Sequence, residues 1–230
     1  MPFFNGRLLP NPVHEYVAWL DIMGTQSQMA RSIAITANFI FKLHASALLA
    51  PRAGVALYPV MDGLYASSSD QNAIMEFLRA VFVELGGDFN TATDPLHRFI
   101  VRGAIAFGPV IHGSAVPANT SNSFQTPQGT IYKDSILLGM PMAQAHQTEN
   151  NAPPFGLFVH ESARAFAPAS TSPLHHVWWK WVNPGNATVW NTLSQTLQTH
   201  YQWCAQRPES ILYGRERIAA HADLAKQYFA

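Results

Sequence analysis

The sequence is poor in cysteine and in charge. Cys204 is the only cysteine among 230 residues, so no disulfide forms within the chain and a cysteine-built zinc site is excluded. A lone thiol predicts a reducing compartment, the cytoplasm. Charged residues make up 12% of the chain, about half the ~25% of an average domain. Fourteen Lys and Arg balance fourteen Asp and Glu, which leaves no basic field to hold nucleic acid. A long hydrophobic run is missing as well. The stretch from Ile33 to Ala50 is interrupted by Lys42 and His44 and falls short of the ~20 apolar residues a membrane span needs. The N-terminal MPFFNGRLLPNPV has one arginine and no apolar core, which predicts no secretory signal.

What is present is apolar. Hydrophobic residues make up 48%, enough for a sizeable core and too much for a disordered chain. A neutral, charge-poor chain of this length also predicts that some surface is covered by a partner, such as a second copy. Strand-like HEYVAWLDI (14–22) leads into helical spacing over 26–49, closed by Pro51. GVALYPVMDGLYAS (54–67) reads as a hairpin with Asp62-Gly63 at its turn. Asp70 caps a second helix that Gly86-Gly87 ends. HRFIVRGAIAFGPVIHG (97–113) reads as a strand pair bent at Gly108-Pro109, and polar 114–130 as a loop. A helix from Gly139 to about Asn150, strands at 155–160 and 175–182 around a short helix at 161–166, and two C-terminal helices broken near Pro208 complete the order. Strands that alternate with helices yet meet through hairpins predict an α+β fold with a mixed sheet.

Two carboxylates stand out. Asp21 ends the first strand just before a helix start, so it either caps that helix or holds a divalent cation beside phosphates bound at the helix N-terminus. Asp62 sits in the hairpin turn. Together they can meet across adjacent strands, and two carboxylates bridging two divalent ions is a recurring arrangement for moving phosphoryl groups. Tyr58, four residues before Asp62 in the same strand, shares its face by the period of two. It is either an aromatic on a half-buried strand or a group that faces a base. Arg102 either contacts a nucleotide or holds the sheet together. Lys180 is either a solvated strand-edge lysine or a group that reaches a γ-phosphate. The tryptophans at 178, 179 and 181 read as core or dimer contacts, and Cys204 as buried and inert.

WLDIMG, VMDGLYA, VRGAIAFGPVIHG and LLGMPMAQAHQTE, in that order over about residues 14–150, resemble the four consecutive signatures of the class III nucleotidyl cyclases. The resemblance implies a ferredoxin-like mixed sheet with helices packed on one face, as a cyclase domain over 1–186 with a helical extension over 187–230. It implies two divalent metal ions, Mn²⁺ or Mg²⁺, bound by Asp21, the carbonyl of Ile22, and Asp62. It also implies a triphosphate cradled by the N–H groups of Met23, Gly24 and Thr25, and a homodimer with two shared sites.

Two departures matter. Where the family's purine cyclases have Lys or Glu to read the base, this chain has Tyr58. That makes it most similar to the pyrimidine cyclases of bacterial Pycsar antiphage systems. UTP is then the expected substrate and cyclic UMP the product, sensed by a separately encoded effector; CTP is the alternative. Where the family places a transition-state Asn and Arg, the chain has Ala143 and Gln147, neither of which is a cation. A nucleotide-binding sensor without catalysis, and a plain scaffold, therefore stay open.

Overall fold

The computed structural model describes residues 3–169 and 171–230. Seven strands are present among them: β1 (Val13–Ile22), β2 (Ala56–Val60), β3 (Gly63–Ser68), β4 (Val101–His112), β5 (Leu137–Gly139), β6 (Leu157–Val159) and β7 (Trp178–Trp179). The helices are α1 (Thr25–Arg31), α2 (Ile33–Leu49), α3 (Gln71–Thr91), α4 (Pro127–Asp134), α5 (Met140–Thr148), α6 (Glu161–Ala165), α7 (Ala187–Gln206), α8 (Pro208–Ile211) and α9 (Arg215–Phe229). No described helix is long and apolar enough to cross a membrane.

The strands form one sheet in the order β2-β3-β1-β4-β6-β7, with β5 beside the far end of β4. Every pairing is antiparallel except β4 with β6. The mixed α+β architecture expected from the element order is thus present. β1 lies between β3 and β4 and is buried without a break from Tyr16 to Leu20, which is why its sequence reads as a continuous apolar run. β2 lies at the edge, where Pro59, with no N–H to give to a ladder, is tolerated.

Alternation gives the two faces of the sheet separate cores. Tyr16, Ala18, Leu20 and Ile22 of β1 join the larger core with α2, α3 and α7. Trp181, fully buried there, donates its indole N–H to the Phe155 carbonyl at 2.8 Å. Val17 and Trp19 face the other way, into a smaller core with Tyr58, Tyr65 and Ala145. Asp21 continues that second face. α5 is its main cover, and Gly108 of β4 allows this: Pro141, in the first turn of α5, lies 3.1 Å from where a Cβ on Gly108 would sit. The C-terminal α7 shares the larger core with α3, and the Tyr228 hydroxyl of α9 donates to the Trp179 carbonyl.

Several expected boundaries move. The helix expected over 26–49 is two helices, because Ser32 is extended and its Oγ caps α2 by accepting from the Ile35 N–H. Gly86-Gly87 does not end α3, which continues to Thr91; Gly86 lies against Leu193 of α7, where a larger side chain would intrude. Residues 97–113 are not a strand pair, since Val101–His112 is one strand running through Gly108-Pro109. The loop at 114–130 contains short 3-10 turns and the start of α4. The strand expected over 175–182 shrinks to Trp178–Trp179. The C-terminal segment holds three helices in place of two.

Candidate functional site

The last rung of the β1–β3 ladder is Leu20 opposite Leu64. Asp21 comes one residue later on β1, and Asp62 two residues earlier, in the turn that joins β2 to β3. Two residues, Met61 and Asp62, form that turn, since Val60 pairs with Gly63; the Asp62-Gly63 turn expected from sequence is displaced by one. Met61 takes the left-handed backbone, with φ at 53°. A strand end and a hairpin turn, forty-one residues apart in sequence, thereby bring two carboxylates to one place. Both line a cavity of about 430 Å³ on the α5 face of the sheet. Trp19 and Tyr65, with ring centroids 4.6 Å apart, form another part of its wall. Ala143, His146 and Gln147 of α5 close the opposite side.

The electrostatics of this cavity favour a cation. Asp21 Oδ1 is buried and has no hydrogen-bond partner among the described residues. Burial pushes the Asp21 carboxyl up to about 7, and the negative charges of Glu149 and Asp62 add to the push. The Ile22 N–H and the Arg102 guanidinium oppose it only in part. Asp62 is held by the Thr25 hydroxyl, which donates to its Oδ2. A hard divalent cation relieves both problems at once, since it takes carboxylate oxygens as ligands and cancels their repulsion. The donors fit such an ion: two carboxylates, with the Ile22 carbonyl adjoining. Among the described residues no cluster of three or more His, Cys, Asp or Glu side chains is arranged to hold a metal. The remaining ligands must then come from a bound oxygen-rich molecule.

The other expected site residues divide. The Met23 N–H is spent on the Ile100 carbonyl at 2.8 Å and does not cradle a phosphate. Gly24, with φ at 78°, takes the left-handed turn that starts α1. Thr25 acts through its hydroxyl, as above. Arg102 pairs in register with Asp21, but its guanidinium is buried against Glu149 and the Asn150 side chain. It ties β4 to the segment after α5 and is no wall of the carboxylate cavity. Lys180 donates to the main-chain oxygen of Ala230 at 2.8 Å and is likewise outside it.

Tyr58 is on the second face but buried. Burial, with the charges of Glu15 and Asp134, pushes its phenol up to about 12. Its hydroxyl is hydrogen-bonded to His112 Nδ1, and His112 Nε2 lies 3.1 Å from Glu15 Oε2. Tyr58 therefore belongs to a buried polar group beside the site and not to the cavity of the carboxylates.

Among the described cavity residues absent from the sequence-based set, His146 is the one with an imidazole side chain. His146 stands three residues after Ala143 on α5, and its ring lies 5.3 Å from that of Trp19. The signal was present in the spacing: positions 143, 146 and 147 share one helical face.

A scan of the chain against protein-family models matches none, and a comparison with curated proteins finds no match. Among solved structures, a bacterial light-regulated adenylyl cyclase is similar at 17% identity and a TM-score of 0.49, over 67% of this chain and 46% of that one. The monomeric guanylyl cyclase domain of the RhoGC fusion protein from the aquatic fungus Blastocladiella emersonii is similar at 16% identity and a TM-score of 0.47, over 67% and 84%. This chain thus spans less than half the length of the light-regulated cyclase. Likeness at this level leaves the chain's own residues to decide its chemistry.

Proposed function

We propose that the protein is a nucleotidyl cyclase. The observation that carries this reading is the convergence of Asp21 and Asp62 in one cavity, with Asp21 Oδ1 buried and unpartnered. The four ordered sequence signatures support it. In this reading the 3′ oxygen of a nucleoside triphosphate bonds to its own α-phosphorus, the bond to the β-phosphate oxygen breaks, and diphosphate leaves. Two divalent cations, Mn²⁺ or Mg²⁺, supply charge neutralisation for the triphosphate and acidify the 3′-hydroxyl. Asp21 and Asp62 bind them, and the Thr25 hydroxyl fixes the rotamer of Asp62. His146 and Gln147 face the carboxylates from α5, where negative charge would develop on the oxygens of the transferring phosphoryl group. They stand in for the Asn and Arg that the family resemblance leads one to expect there.

Within this reading the substrate is UTP, with CTP as the alternative, because Tyr58 replaces the purine-reading Lys or Glu. The active unit is a two-fold homodimer in which the base contacts come from the second copy. Exposed Met61 and Met140 suit such a contact. An antiphage role, with a separately encoded effector that senses cyclic UMP, comes with the Pycsar resemblance.

A second reading is favoured by Ala143 and by the lack of any Lys or Arg in the cavity wall among the described residues: a nucleotide sensor without turnover. Incubation with Mn²⁺ and each of the four ribonucleoside triphosphates, followed by product chromatography, separates the two. Cyclic UMP, lost in Asp62→Asn, is the expected result. Tight UTP binding with no product from any triphosphate would establish the sensor.

A further inference from the structure

A second cavity, of about 300 Å³, lies behind the turn that follows β1. Its walls come from α1, α2, the start of β4 with the segment leading into it, and the C-terminal helices, and it shares no residue with the carboxylate cavity among those described. Its volume is at the lower end of the ~300–1,000 Å³ range of small-molecule sites. Among the described residues four arginines line it, Arg31, Arg98, Arg102 and Arg217, and no acidic side chain does. Arg102 is neutralised by Glu149. Arg31 and Arg217 are exposed at the rim, and neither has a hydrogen-bond or ion-pair partner among the described residues. In a chain with so few charges, two unpaired guanidinium groups on one cavity offer donors in the fork geometry that suits a phosphate.

The interior has its own unmet needs. Gln28 Oε1 and Arg98 Nε line the cavity and are buried without partners. His200, on the same wall, is 7% exposed. Its Nε2 lies 3.4 Å from the Cys204 sulfur. Whichever ring nitrogen carries the proton, Nδ1 is buried and has no partner among the described residues. Buried polar atoms left unpaired destabilise a fold, and three around one cavity signal a ligand that pairs them. Trp203 and Phe39 add flat apolar wall.

We propose that this second cavity binds a nucleotide without a metal ion, its phosphate held by Arg31 and Arg217 and its base against Trp203, with ring heteroatoms meeting Gln28 and His200. Met23 and Gly24 form part of the same wall, so the ligand sits directly behind the turn that joins Asp21 to Thr25. The inference does not depend on the cyclase reading, because no carboxylate or metal takes part.

Calorimetric titration of adenosine and uridine 5′-monophosphates, and of inorganic phosphate, into the full chain in EDTA tests it. At least one nucleotide binds, more tightly than phosphate alone. The exposed double variant R31Q/R217Q, shown to be folded by circular dichroism, binds it at least about tenfold more weakly, and D62N binds it as the unaltered chain does. The proposal is overturned if neither nucleotide binds, if phosphate binds as tightly, if R31Q/R217Q has no effect, or if D62N abolishes binding.

Discussion

Asp21 is a strained carboxylate in the metal-free protein. Its folded pKa near 7 stands above the ordinary value of 3.8, so between about pH 4 and 7 the folded state holds a proton that the unfolded state has lost. Stability contributed by this group is therefore present at low pH and declines as pH rises through that window. Asp21→Asn removes both the titration and the repulsion from Glu149 and Asp62. In EDTA its melting temperature should exceed that of the unaltered protein at pH 8, with the gap closing as pH falls toward 4, while cyclic product disappears. A variant less stable at pH 8 would mean that Asp21 is satisfied within the protein. Both carboxylates were legible in the sequence because their placement is local: a strand end and a hairpin turn. His146 was not, since its role depends on how α5 lies over β1, which only packing decides. The two readings of Lys180 could not be separated in the sequence for a similar reason. Its strand was expected to run over eight residues, and the hydrogen bond from its ammonium to Ala230 depends on the docking of α9.

At the scale of elements, the site depends on how closely β3 lies along β1. Gly63, next to Asp62, has no room for a side chain: a Cβ there would come within 2.5 Å of the Leu20 carbonyl oxygen and 2.6 Å of the Trp19 ring. Gly63→Ala must push the hairpin away from β1. The expected cost is about 1–3 kcal/mol of stability, as for an overpacked core. Divalent-ion affinity should fall with it, because Asp62 moves with the hairpin; a denaturant midpoint equal to that of the unaltered chain would contradict the close packing. Hydrophobic period and turn residues were enough to locate β1, the hairpin, α3 and α5. They failed where tertiary contact overrides a local signal. Gly86-Gly87 reads as a helix stop, yet α3 continues through it because α7 packs on the bare backbone. Gly108-Pro109 reads as a bend, yet β4 continues because α5 needs the space above Gly108.

At the scale of the whole molecule, the carboxylate cavity is open on the face of the sheet that α5 covers only in part. If a second copy completes it, the two halves can be supplied by different chains. Sedimentation of the unaltered chain with Mn²⁺ and a non-hydrolysable UTP analogue should then show a dimer. A monomer that turns UTP over would argue for a site built from a single chain. The mixed sheet and its helical layer were foreseeable from the order of elements. The second cavity was not, since its arginines come from α1, the approach to β4 and α9, which nothing local in the sequence connects. The catalytic expectations depend on Asp21 and Asp62 gripping divalent cations together. Titration of Mn²⁺, followed by electron paramagnetic resonance, in the presence of a UTP analogue with a methylene bridge between the α- and β-phosphorus measures that directly. Asp21→Asn and Asp62→Asn should each weaken Mn²⁺ binding by at least about tenfold. Binding as tight in either variant as in the unaltered protein would contradict a shared metal site.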